Sequence, residues 1–166
     1  QSVFVSGEKV FLGGYGAKWF NTSSGNDGFV VVVNASAVSQ ELDRYNFTNG
    51  NYGERVRSVF VSDEKVFLAG EGVNWAGAGS AYDGFVVVVN ASDVSQEIDH
   101  YNFTGPGTDK DEVYSVFISD SKVFLGGYGA KWFNSSSVDD SFVVVLNESD
   151  VSQELGRYNF TGPGGE

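Results

Sequence analysis

The chain has 166 residues, of which 41% are hydrophobic and 15% aromatic, enough for one ordinary domain with a real core and unlike a disordered composition. A net charge of -12 and a pI of about 4.3 give an acidic surface that repels nucleic-acid phosphate and anionic membranes, so neither is expected as a partner. There is no cysteine, which excludes disulfides, thiolate chemistry and Cys-ligated metals, and no apolar run approaches the roughly 18 residues of a membrane span.

The sequence is three copies of one unit. "SVFVSGEKVFL" begins at Ser2, "SVFVSDEKVFL" at Ser58 and "SVFISDSKVFL" at Ser115, which places repeats at 1–57, 58–114 and 115–166. Residues 2–48 and 115–161 align without a gap, and 36 of the 47 positions are identical. Such similarity is typical of arrays that duplicated recently. It suggests a longer natural polypeptide, as does a chain that begins at Gln1 and contains no Met.

Each unit is expected to form four strands. "SVFVS" alternates, with Val3 and Val5 on one face and Phe4 on the other. "SGEK", "SDEK" and "SDSK" supply tight polar turns into a second strand, "KVFLGG" in the first copy. A loop such as "YGAKWFNTSSGND" follows. The third strand, "GFVVVV", is apolar on both faces, the pattern of a strand covered on both sides. "NASxVS" makes a turn into "QELDRYNFT", where Tyr45 and Phe47 share one face and Asn46 and Thr48 the other. Gly/Pro-rich linkers such as "GPGTDKDE" close the units, and no segment reads as a helix. Four antiparallel strands buried on both faces are a propeller-blade pattern, and such a blade is stable only against neighbours. The expected fold is all-β, made of tandem blades. Three blades fall short of the four to eight or so of closed propellers, so they stay open or are completed by other chains or repeats. Uncovered end faces joined head to tail give a ring or a filament.

The string "KVFLGGYG…DGFVVVVN…YNFTG" resembles the SBBP-type β-propeller repeat of exported bacterial and archaeal proteins. Val10-Phe11-Leu12-Gly13-Gly14 corresponds to that family's first block, Asp27-Gly28-Phe29-Val30 to its second, and Tyr45 to Gly50 loosely to its third. Two departures stand out: Val-Val replaces the usual Lys-Leu after Phe-Val, and Phe-Thr-Gly replaces the closing Gly-Gly. The resemblance implies an extracellular, non-enzymatic surface or scaffold protein.

Eight of the twelve asparagines begin Asn-x-Ser/Thr: Asn21, Asn34, Asn46, Asn90, Asn102, Asn134, Asn147 and Asn159. With 25 Ser and Thr among 166 residues, chance predicts about two. Repetition inflates the count, yet three independent positions in the unit, two of them kept in the second copy, exceed chance. Their expected places, turns and outer strands, let a glycan point into water and block unwanted strand pairing.

Other candidate chemistry is thin. His100 is the single histidine and stands where the other repeats have Arg44 and Arg157, which fits a tolerated surface position. "GGYGAK" (13–18) lacks the Ser/Thr that a phosphate loop places after its Lys. Asp27, Asp83 and Asp140 precede the third strands, as Ca²⁺ ligands or as turn caps, without a D-x-D-x-D spacing. Trp19, Trp75 and Trp132 recur on the long loop, either wedged between blades or offered to a sugar. Glu71 and Ala76 break that loop's aromatic set in the second unit. No repeat stands out as holding a unique cluster of titratable groups, so an enzyme is not expected. No cofactor is called for. The expectation is a cell-surface, N-glycosylated structural protein, such as a coat, adhesin stalk or filament subunit, partnered by copies of itself or by further repeats. The alternative is a lectin that uses the Trp loop.

Overall fold

A computed structural model describes residues 1–17, 26–47, 53–73, 82–103, 110–129 and 140–160. The described residues are all-β, with twelve strands in three antiparallel four-stranded sheets, none closed into a barrel. Blade 1 holds β1 (Ser2–Ser6), β2 (Lys9–Ala17), β3 (Asn26–Asn34) and β4 (Ala37–Phe47). Blade 2 holds β5 (Glu54–Ser62), β6 (Lys65–Gly72), β7 (Asp83–Asn90) and β8 (Glu97–Phe103). Blade 3 holds β9 (Asp111–Ser119), β10 (Lys122–Gly129), β11 (Asp140–Asn147) and β12 (Asp150–Phe160). Within each blade the strands follow sequence order. Among the described residues there is no helix, and so none long and apolar enough to cross a membrane.

Local sequence explains the hairpins. Gly7, Asp63 and Asp120 open the three β-turns between first and second strands with positive φ of 57°, 51° and 52°. Glycine and aspartate tolerate that region, whose twist matches the flanking strands. The repeat boundaries at 57/58 and 114/115 cut through β5 and β9, which begin at Glu54 and Asp111. Both strands bulge there. Val56 pairs with Gly70 and Ser58 with Ala69, leaving Arg57 as the extra residue; in β9 the extra residue is Tyr114. Each bulge drives a backbone carbonyl, of Arg55 or Glu112, onto the glycine opposite, Gly70 or Gly127, where a Cβ would collide. The outer strands bulge as well, turning Leu42, Ile98 and Leu155 outward and exposed. Irregular edges of this kind discourage pairing with other chains.

The three sheets stack in order, so the core is two layers between blades. Phe11, Val30 and Val32 of blade 1 meet Val59, Leu68, Phe85 and Val87 of blade 2. Phe67, Val86 and Val88 of blade 2 meet Val116, Leu125, Phe142 and Val144 of blade 3. Alternate residues of β7 serve the two layers, which is why that strand is apolar on both faces and buried throughout its valine run. Burying one such side chain contributes about 1.5–3 kcal/mol, so the blade-to-blade layers, not any single sheet, supply the stability.

Candidate functional site

The junction between blades is built twice, in matching ways. Lys9 donates from Nζ to the Ala91 carbonyl at 2.8 Å, and Lys65 donates to the Glu148 carbonyl at 3.0 Å. The Val59 N–H donates to Ser2 Oγ at 3.1 Å, and the Val116 N–H to Ser58 Oγ at 3.1 Å. The Val94 N–H donates to Asp43 Oδ2 at 2.8 Å, and the Val151 N–H to Asp99 Oδ2 at 2.9 Å. Burial, then the neighbouring Glu97 or Glu154, raises the pKa of Tyr45 and Tyr101; the Tyr101 hydroxyl lies 3.3 Å from Glu154. An aromatic ladder runs through all three blades, from Phe4 to Phe60 at 4.8 Å and on to Phe117 at 5.2 Å between ring centroids.

Two faces of the stack have no such neighbour. On blade 1, Val38 is 71% exposed, whereas its counterparts Val94 and Val151 are 0% and 1% exposed. Val3 and Val5 are likewise exposed at 61% and 62%, while Val59 and Val61 in the same places are buried. Val3, Leu12, Phe29 and Val31 line an open apolar groove of about 440 Å³ on this face. On blade 3 the opposite face is bare: Phe117 ends the ladder 55% exposed, and Tyr158 is 68% exposed. Lys122 and Ser115, the counterparts of the linking Lys9 and Ser2, are exposed beside them.

A third feature lies at the end of the stack where β5 and β9 begin. Arg57, the bulge residue, holds Glu71 through Nε at 2.9 and 3.0 Å and Nη2 at 2.7 Å. Arg55 stands 3.5 Å from the same carboxylate, which has no exposed side-chain surface. Arg57 reaches to 3.9 Å from Glu112, which Lys110 and the Tyr114 hydroxyl also engage. The Tyr15 ring lies 5.1 Å from the Arg55 guanidinium, and the Tyr114 ring 5.4 Å from that of Arg57. Tyr114 stacks on Tyr128 at 5.5 Å. Burial, reinforced by the Tyr128 hydroxyl, pushes the Tyr114 phenol up to about 12. Blade 2 therefore does hold a distinctive titratable cluster, which the repeat comparison missed. Glu71 takes the place of Tyr15 and Tyr128, and Arg57 that of Gln1 and Tyr114, so the two changes compensate. The repeat boundary at 57/58 falls within β5 and separates Arg57 from the unit that holds Glu71.

Asn34, Asn90 and Asn147 end β3, β7 and β11 and lead into the turns that follow. Each Oδ1 accepts from the N–H and hydroxyl of the Ser two residues on, at 2.9 and 2.7 Å for Asn34, 2.8 and 2.7 Å for Asn90, and 3.0 and 2.8 Å for Asn147. The Asn-x-Ser spacing thus has a role in the turn itself. Asn46, Asn102 and Asn159 sit on the outer strands opposite Phe29, Phe85 and Phe142, half-buried, with their Oδ1 atoms shielded from solvent. Asp27, Asp83 and Asp140 are buried in the first turns of pairing of β3, β7 and β11 rather than ahead of those strands. Among the described residues no three His, Cys, Asp or Glu side chains are grouped as a metal site requires. His100 Nδ1 lies 2.7 Å from Glu97, repeating with an imidazole the exposed Arg44–Glu41 and Arg157–Glu154 pairs. Asn21, Asn134, Trp19, Trp75 and Trp132 lie outside the described residues. No family model matches this chain, and no curated protein matches it.

Proposed function

We propose that this chain is an extracellular, N-glycosylated structural protein that assembles through its blade faces. One observation carries the reading. The bare face of blade 1 has the same side chains that blade 2 presents to blade 1. Apolar surface of this extent is costly to leave in water and marks a place of association. The acidic charge and the resemblance to exported propeller repeats support a surface location. Sugars belong on Asn34, Asn90 and Asn147, which border exposed turn residues, in preference to Asn46, Asn102 and Asn159, whose Oδ1 atoms are shielded from solvent. The test is the intact mass of the native protein before and after deglycosylation, with peptide-level occupancy. An excess mass that sugar removal abolishes, concentrated at the turn asparagines, is the expected result. A native polypeptide free of sugar would remove the glycoprotein half of the proposal. Glycan binding that Trp75→Ala abolishes would replace the structural role with a lectin.

A further inference from the structure

We infer that two copies of this chain close head to tail into a six-bladed ring, the blade 3 face of each covering the blade 1 face of the other. This rests on the proposal that the bare faces are assembly faces, and it names the partner and the stoichiometry.

The occupant follows from the internal junction. Blade 1 meets blade 2 through Phe4, Phe11, Val30, Val32 and Tyr45. The uncovered face of blade 3 carries Phe117, Phe124, Val143, Val145 and Tyr158 at the same places, an identical set. On the receiving side, Val59, Leu68, Phe85, Val87 and Val94 of blade 2 correspond to Val3, Leu12, Phe29, Val31 and Val38 of blade 1, again identical. The polar links are preset too. Lys122 corresponds to Lys9, and the carbonyl it would reach is that of Ala35, the counterpart of Ala91. Ser115 corresponds to Ser2 and would accept from the Val3 N–H as Ser2 accepts from Val59. The fit extends to shape. A Cβ on Gly13 would collide with Val59 and Val56, so Gly13 is a socket for the facing blade. A Cβ on Gly126 meets nothing closer than Ser115 Cβ at 3.9 Å, so that socket is open for Val3 of a second copy.

One element of the junction is missing. Asp43 and Asp99 accept the Val94 and Val151 N–H groups, but Gly156 stands at the third position. The joint between chains therefore repeats the internal joint minus this charge-assisted hydrogen bond and minus the Val56 packing on Gly13, which has no counterpart among residues 1–166. For the 166-residue chain taken by itself, with its three described blades, two copies supply six, within the range of about four to eight in closed propellers. Ring closure covers every exposed blade face, whereas a linear stack always leaves two bare.

Light scattering on the purified 166-residue chain across a concentration series tests this. The ring predicts one species of twice the 17.8 kDa chain mass, with no growth at higher concentration. Gly126→Leu, which fills an open socket without touching the chain's own core, is expected to give single chains of unchanged circular dichroism. Gly156→Asp restores the missing acceptor and is expected to tighten the dimer about tenfold or more per joint. A ladder of masses growing with concentration would overturn the ring but leave face-to-face assembly standing. Single chains at every concentration would overturn both.

Discussion

Blade 2 and blade 1 carry the same valine at the same place, yet Val94 is sealed and Val38 stands in water. The difference lies in neighbours and not in the blades. Blade 2 is covered on both sides, blade 1 only by blade 2, and blade 3 only from the other side. β7 is buried residue after residue, while β11 alternates buried with half-exposed positions along nearly the same sequence. Blades 1 and 3 thus keep side chains suited to two neighbours and are given one. That surplus of apolar surface is what the proposed assembly would cover.

The largest way to sharpen this comparison is to delete the same ring in two blades. Phe85→Ala empties a fully enclosed site between blades and is expected to cost about 3–5 kcal/mol in denaturant unfolding. Measured on dissociated single chains, Phe29→Ala, at the half-covered counterpart, is expected to cost about half as much, and equal losses there would refute the asymmetry.

Next in size is the charge pair peculiar to blade 2. Arg57→Ala removes the hydrogen bonds to the buried Glu71 carboxylate, leaving Arg55 3.5 Å away, and is expected to destabilise by about 3 kcal/mol. Adding Glu71→Tyr, with Arg57→Tyr, installs the Tyr114–Tyr128 pairing of blade 3 and should recover most of that loss. A double variant as unstable as the single one would mean that Glu71 does not depend on Arg57.

Smaller again is the hydrogen bond that blade 3 lacks on its free side. Asp99→Gly copies the Gly156 arrangement into the internal junction and should cost about 1.5–3 kcal/mol by thermal or chemical unfolding. The smallest expected effect is a pH dependence. The Tyr114 phenol is raised in the folded chain from 10.0 to about 12, so the protonated phenol favours folding below pH 10. That contribution is lost as pH rises from 10 to about 12, and Tyr114→Phe should flatten the stability curve in that window.

Much of this architecture was legible in the residues. The period of the repeats, the alternation in "SVFVS" and the double-sided apolar run of "GFVVVV" lead to four-stranded blades that need neighbours, and the sheets follow that plan. The direction of each face was not legible. Alternation says that Val3 and Phe4 point opposite ways but not which of them meets the next blade. The Arg57–Glu71 pair was hidden for a related reason: a bulge re-aims Arg57, and bulges leave no periodic trace. The triplets carry a second role that the residues alone did not show: Ser36, Ser92 and Ser149 also close the turns that hold their asparagines.

The claim at the centre of this account is that the two bare faces are halves of one joint. Mixing two variants, Val5→Asp on the blade 1 face and Phe117→Asp on the blade 3 face, tests it most directly. Both positions are more than half exposed in the single chain; Phe117→Asp gives up the edge contact with Phe60 but empties no buried site, and unchanged circular dichroism of each variant checks that the chain still folds. Each variant alone should remain a single chain by light scattering, because every joint it could form contains a buried charge. Mixed, they should pair through the one joint that has two native faces, giving a species of twice the chain mass. Association of either variant alone, or none in the mixture where the native chain associates, would contradict the account.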